Sequence, residues 1–182
     1  MRFTKMHGAG NDFIVLDALA GPLPAGDLPA LAARLCDRRR GVGADGLMLL
    51  RKAAGDADLA MRFYNSDGSL GEMCGNGARC VCRYACEHGY AGDTVRVETT
   101  AGLVTGWRKS RTEFRIRLNP PTVLETERVL EVDGRAYRCG YVELGSPGIP
   151  HLTVETPGLA DCEEAPLRQL GRKLRNHPAL PK

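Results

Sequence analysis

No stretch of this 182-residue chain approaches the ~18 consecutive apolar residues that a membrane-spanning helix needs. The N-terminus, MRFTKMHGAGNDF, lacks the apolar core and cleavage site of a signal peptide. Net charge is scarce as well: 25 Lys and Arg against 22 Asp and Glu leave only +3. The arginines are scattered rather than striped along one face, which argues against a nucleic-acid partner. There is no internal repeat and no low-complexity segment, so solenoid and fibrous classes fall away. What is present, 43% hydrophobic and 26% charged residues, is globular composition. Seven cysteines, an odd count without an export signal, fit reduced thiols, and the expected compartment is the cytoplasm.

The periodicities predict a mixed α/β (α+β) chain. FIVLD at 13–17 reads as a strand, and Asp27 is placed to cap a helix over 28–38 with Leu28, Leu31, Ala32 and Leu35 on one stripe. GVGADG at 41–46 reads as a loop followed by a buried strand, LMLLR. LAMRFYN at 59–65 alternates in the manner of a half-buried strand, and NSDG at 65–68 is a tight turn. Residues 76–88 form the strongest helix signal, followed by a meander of TVRVET, LVTGWR and TEFRIRL. Asn119-Pro120-Pro121 breaks the pattern and predicts a boundary between domains at 1–119 and 120–182. The second segment carries RVLEVDG, AYRCGYVEL, HLTVE and a helix near 165–176 with Leu167, Leu170 and Leu174. It is short for an independent core and stops at HPALPK where a strand is expected, so it reads as truncated.

EMCGNGARCVCRYACEHG, at 72–89, holds four cysteines. Their C-x5-C-x-C-x3-C spacing lacks the paired knuckles of structural zinc sites, and Cys36, Cys139 and Cys162 stand alone, so no metal is expected. On a helical wheel Ala78, Val81, Cys82, Ala85 and Cys86 form one buried stripe, which makes Cys82 and Cys86 small hydrophobes of a packed helix. Cys80 falls off the centre of that stripe and is undecided.

Cys74 differs. It precedes Gly75-Asn76-Gly77, where Asn is a favoured N-cap and the glycines permit close backbone approach. Its sulfur therefore belongs beside the free N–H groups and positive end of a helix. Thiols so placed have pKa values lowered from about 8.5 to roughly 3.5–7.5. The same N–H groups can hold a carboxylate. A thiolate beside an anion cradle fits two chemistries: attack on an electrophilic carbon, or removal of a proton next to a bound carboxylate. The four histidines, His7, His88, His151 and His177, form no sequence signature of a Cys-His hydrolase. The residues alone leave both chemistries open.

MHGAGNDF at 6–13, GVGADG at 41–46, FYNSDGS at 63–69 and MCGNGARC at 73–80, in that order, resemble the diaminopimelate epimerase family. GIPHLTV at 148–154 resembles a later Gly-x-Pro-His motif of that family, and HPALPK a stretch preceding its next strand. The resemblance implies two pseudo-symmetric α/β domains, each a curved, mostly antiparallel sheet wrapped on a central helix. It implies inversion of one α-carbon of LL-2,6-diaminopimelate to the meso isomer, in lysine and peptidoglycan-precursor biosynthesis, without pyridoxal phosphate or metal. Two cysteines of such a family face opposite sides of the α-carbon, one a thiolate base and the other a thiol acid. Cys74 matches the first. Asn11 and Asn65 match substrate-binding asparagines, Gly75 and Asn76 match the cradle for the reacting carboxylate, and His151 matches a histidine that tunes the thiols. The implied partner is a small-molecule substrate, with neither nucleic acid nor membrane, and a homodimer is left open.

The pattern also departs from the family's. Gly46 matches a substrate-binding position where some members carry a glutamine and glycine is also familiar, and Ile149 stands where Gly-Asn-Pro-His is more usual. The resemblance puts the second cysteine, a Glu-Arg pair and a further asparagine beyond residue 182, and Cys139 and Cys162 lack the Ala-Cys-Gly surroundings of a substitute. The chain is thus expected to hold one half of an acid-base pair and to be inactive alone. Two other readings stand beside this one: a proline racemase-like or phenazine-type isomerase on the same fold, and a non-catalytic remnant that binds a partner.

Overall fold

The computed structural model describes residues 1–22, 26–146 and 149–180. Gly148 and the side chain of Ile149 from the GIPHLTV stretch, and Pro181 and Lys182 of HPALPK, lie outside the described residues. The chain forms two compact units, Met1–Asn119 with Gly145–Pro147, and Pro120–Leu144 with Gly148–Lys182.

The first unit opens with a hairpin that the sequence reading missed, β1 (Thr4–Gly8) against β2 (Asn11–Asp17). Its two-residue loop has positive φ at both Ala9 (50°) and Gly10 (92°), the conformation that matches the right-handed twist of flanking strands. Helix α1 (Leu28–Cys36) follows, then β3 (Gly46–Arg51), β4 (Leu59–Asn65), the two-residue β5 (Leu70–Gly71) and helix α2 (Gly75–Glu87). The antiparallel meander β6 (Thr94–Thr99), β7 (Gly102–Arg108) and β8 (Phe114–Arg117) completes the unit. The strand order is β1-β2-β3-β4-β6-β7-β8, and among the described residues pairing is parallel only at β2–β3 and β4–β6. Helix α2 packs against β1 and β2 at one end of this order and against β6, β7 and β8 at the other. A sheet whose two ends touch the same helix must be curled around it, so this is the α+β fold of a curved sheet wrapped on a central helix that the family resemblance implied.

LAMRFYN is not half-buried. Leu59, Met61 and Phe63 join the cluster around α2, Tyr64 joins the cluster under α1, and within 59–64 only Arg62 is exposed. β2, β3 and β4 lie between the two helices. Phe13, Val15, Met48 and Leu50 face α2, while Ile14, Leu16, Leu47 and Leu49 face α1. Alternation along a strand then places apolar side chains on both faces, and the period of two carries no polar partner.

The second unit pairs β9 (Pro121–Val132), β10 (Arg135–Leu144) and β11 (Ile149–Val154) in the order β11-β10-β9, all antiparallel. Leu174 of helix α3 (Glu164–Arg175) is buried with Leu130, Val132 and Cys139, and Leu170 packs beside it.

Candidate active site

The ends of several elements of the first unit meet at one edge of its sheet. Gly8, the last residue of β1, pairs with Asn11, the first of β2; Phe13 pairs with Gly46, the first of β3; Gly46 pairs with Asn65, the last of β4. The N-terminus of α2 arrives at the same edge, because Asn76 Nδ2 donates to Asn11 Oδ1 at 2.7 Å.

Cys74 itself is the N-cap, with extended backbone (φ −130°, ψ 115°), and α2 begins one residue earlier than the sequence suggested. Its carbonyl accepts the first helical bond, from Ala78 N at 2.8 Å. The N–H groups of Gly75, Asn76 and Gly77 precede that bond and are the orphan donors of the helix start. The Asn76 side chain does not cap the helix, as its residue type would favour; it reaches across to β2. Gly77 leaves room for the tip of the Met48 side chain, since a Cβ there would meet Met48 Cε and stand 3.5 Å from Cys74 Cβ.

The remaining three cysteines of the stretch behave differently. Cys80 and Cys82 are buried, at 4% and 0% exposure, and Cys86 is half-buried with its thiol 3.0 Å from Gly92 O. Burial raises Cys80 to about 11, with a smaller push from neighbouring Cys74, and raises Cys82 to about 12. At neutral pH both are protonated packing groups. Cys80, which the wheel left undecided, is thereby core, while Cys86 sits at the margin of the stripe rather than inside it.

Asn65 is committed to its own turn. Its N–H donates to Ser69 O (2.9 Å), its carbonyl accepts from Gly68 N (3.0 Å) and its Nδ2 donates to Ser69 Oγ (2.9 Å). Gly46 is buried, and a Cβ there would collide with the Phe63 ring and come 2.7 Å from Tyr64 O. Glycine at this position is therefore a packing requirement and offers no side chain to a ligand. His151 lies in the second unit, on β11 opposite Val142.

Three residues that the sequence reading did not single out, Arg38, Asp45 and Arg79, organise this edge. Arg38 forks onto both Asp12 oxygens (2.7 and 3.1 Å) and also reaches Asp45 Oδ1 (2.9 Å). The Arg38 guanidinium, helped by Lys5, holds the Asp12 carboxyl well below the usual carboxylate range against the opposing effect of burial. Asp45 N donates to Asp12 Oδ1 (3.0 Å) and Asp12 N to Asp45 Oδ2 (3.2 Å), so each residue ties down the other's loop. Asp45 Oδ2 also accepts from Asn11 Nδ2 at 3.1 Å, and Arg79 Nη1 donates to Asn76 Oδ1 at 3.0 Å. Asp45 lies within the GVGADG motif, which was the available signal for it.

Six of the seven expected residues thus fall in one connected run, Cys74-Gly75-Asn76 to Asn11, then through Asp45 to Gly46 and Asn65. A sheet curled on a central helix is a fold shared with an epimerase of known structure. The chain superposes on a hydroxyproline epimerase from Agrobacterium vitis with a TM-score of 0.60 at 18% identity, covering 100% of this chain and 63% of that one. Matches to epimerase sequences place the chain in the isomerase class. The sequence model of diaminopimelate epimerase matches residues 3–123. The chain is 38% identical over 201 residues to the diaminopimelate epimerase of Pelotomaculum thermopropionicum and 41% identical over 197 residues to that of Desulforudis audaxviator. All of this chain is covered in both cases, with 69% and 68% of those proteins' lengths. The chain belongs to the diaminopimelate epimerase family.

Proposed function

We propose that this chain serves the inversion of LL-2,6-diaminopimelate to the meso isomer, a step of lysine biosynthesis, with Cys74 exchanging a proton with one face of the α-carbon. The observation that carries this reading is the place of Cys74: alone among the four cysteines of its stretch, it stands at the N-cap of α2 rather than on the helix. The α-carboxylate would lie against the N–H groups of Gly75, Asn76 and Gly77, where the helix dipole favours negative charge. As the proton leaves, charge develops next to that carboxylate, and the same N–H groups stabilise it. Asn11, Asn65 and Asn76 are assigned to substrate contact, and His151 of the second unit to tuning the thiol chemistry. We assign residues 1–119 and 120–182 to the two halves of the family's fold, and the chain to the cytoplasm, where the thiol stays reduced.

The test is alkylation by iodoacetamide near pH 7, read peptide by peptide by mass spectrometry. Cys74 is expected to label faster than Cys80 or Cys82, and LL-diaminopimelate to slow it. The same amino acid incubated with the protein in deuterium oxide is expected to exchange its α-hydrogen, and Cys74→Ala to abolish that exchange. Equal labelling of all seven thiols with no protection would overturn the assignment. Protection by proline rather than diaminopimelate would move the reading to a proline racemase-like substrate.

A further inference from the structure

Asn11 and Asn76 are assigned above as substrate contacts, but an amide side chain is ambiguous. Its oxygen and nitrogen are nearly isosteric, and a rotation of 180° exchanges an acceptor for a donor. A site that binds a carboxylate needs the N–H side presented, so something must decide the orientation.

The four residues form a directed chain. Arg79 Nη1 donates to Asn76 Oδ1 (3.0 Å), Asn76 Nδ2 donates to Asn11 Oδ1 (2.7 Å) and Asn11 Nδ2 donates to Asp45 Oδ2 (3.1 Å). Its two ends are chemically unambiguous, because a guanidinium can only donate and a carboxylate can only accept. Turning Asn76 over would set its NH₂ against Arg79 and its oxygen against the Asn11 oxygen; turning Asn11 over would set its oxygen against Asp45. Both amides are therefore fixed from outside the pair. Asp45 is itself anchored by Arg38 at 2.9 Å, so the acceptor end of the chain is tied to the Asp12 network. The donor count gives the consequence. Each amide has two N–H bonds and spends one within the chain, so each keeps one N–H for a ligand, beside the orphan N–H groups of the α2 start.

We propose that Asp45 and Arg79 are positioning residues that fix the polarity of the Asn11–Asn76 pair, so that each amide reserves one N–H donor for a carboxylate of the substrate. This rests on the diaminopimelate reading for the identity of the ligand, and on the hydrogen bonds alone for the polarity.

The test uses the side-chain amide signals of Asn11 and Asn76 in ¹⁵N-labelled protein. Arg79 is exposed on α2 and donates to Asn76 rather than to Asn11, yet Arg79→Ala is expected to shift the Asn11 amide signal, and Arg79→Lys, which still only donates, to restore it. Asp45→Ala is expected to shift the Asn76 signal in the reciprocal manner. In the same variants the LL-diaminopimelate concentration that half-protects Cys74 from alkylation should rise about 3- to 10-fold for Arg79→Ala, as expected for one misdirected hydrogen bond. It should return to within about 2-fold of the parent for Arg79→Lys. An Asn11 signal unmoved by Arg79→Ala, or Arg79→Lys behaving like Arg79→Ala, overturns the polarity proposal. Should Asp45→Ala fail to fold, since it also accepts from Asp12 N, the Arg79 pair of variants decides alone. Absence of any protection in the parent protein would overturn the substrate reading while the amide signals still decide the relay.

Discussion

Asp17 shows how far single side chains here depend on partners distant in sequence. Burial works to raise its carboxyl, yet hydrogen bonds from Tyr90 (2.6 Å), Leu19 N (2.8 Å), Ala20 N (3.1 Å) and Tyr84 (3.1 Å) outweigh it and leave the group below its ordinary value. Tyr90→Phe removes the shortest of these. It is expected to lower stability by about 1 kcal/mol in urea unfolding and to raise the Asp17 pKa in an NMR titration. An unchanged titration would mean that the Tyr84 hydroxyl and the backbone donors hold the carboxylate without Tyr90. At this scale the sequence distinguished Cys74 from Cys82, because helical periodicity separates a stripe residue from a residue at the helix start. It did not show Asn76 reaching Asn11 across 65 positions, because no local rule encodes a side chain's partner on another element.

Elements are held in place by glycines at close approaches. Gly8 ends β1 where it crosses the first turn of α2, and a Cβ there would stand 2.6 Å from Asn76 O and 3.3 Å from Cys80 Sγ. A backbone carbonyl cannot yield as a side-chain tip can, so Gly8→Ala is expected to cost about 1–3 kcal/mol. By pushing the helix start it should also change the rate of Cys74 alkylation. Gly55→Ala, where a Cβ meets nothing within 4 Å, is the matched control and is expected to leave both unchanged. Denaturant midpoints for the two variants check this, and equal effects would contradict it. The strands β2, β3, β4 and β6 to β8 and the helices α1, α2 and α3 were legible from periodicity and turn residues. β1 was not, because TKMHG is short and polar and becomes a strand by pairing with β2. The two-sided burial of β4 was also hidden, since it depends on α1 and α2 covering opposite faces.

For the whole molecule these ionisations combine into a pH profile. Asp12 and Asp17 have depressed folded-state values, so the stability they supply is present above the unfolded value of about 4 and is lost as pH falls through their folded values. In the alkaline direction the sign reverses. Cys80 is raised to about 11, Cys82 to about 12 and Tyr90 to about 12, the last chiefly by its bond to Asp17 with burial adding to it. Unfolded thiols ionise near 8.5 and tyrosine near 10, so folding is weakened as pH rises from about 8.5 toward 12. The thermal midpoint measured by circular dichroism under reducing conditions is expected to be flat from about pH 5 to 8 and to fall on both sides. Cys82→Ala should flatten part of the alkaline slope. A midpoint unchanged between pH 8.5 and 11 would contradict the burial of these thiols.

By itself the sequence determined most of the segments that become helix or strand, β1 excepted, that α2 carries a buried small-residue stripe, and that Cys74 stands at its N-terminus. These follow from spacing and residue type within a dozen positions. Only the tertiary structure decided which strands at the two ends of the sheet touch α2, and that the ends of β2, β3 and β4 converge on the helix start. It also decided that Arg79 and Asp45 orient the amides between them. Those arrangements are set by close packing at Gly8 and Gly46 and by hydrogen bonds between residues far apart in the chain, where no local periodicity reaches.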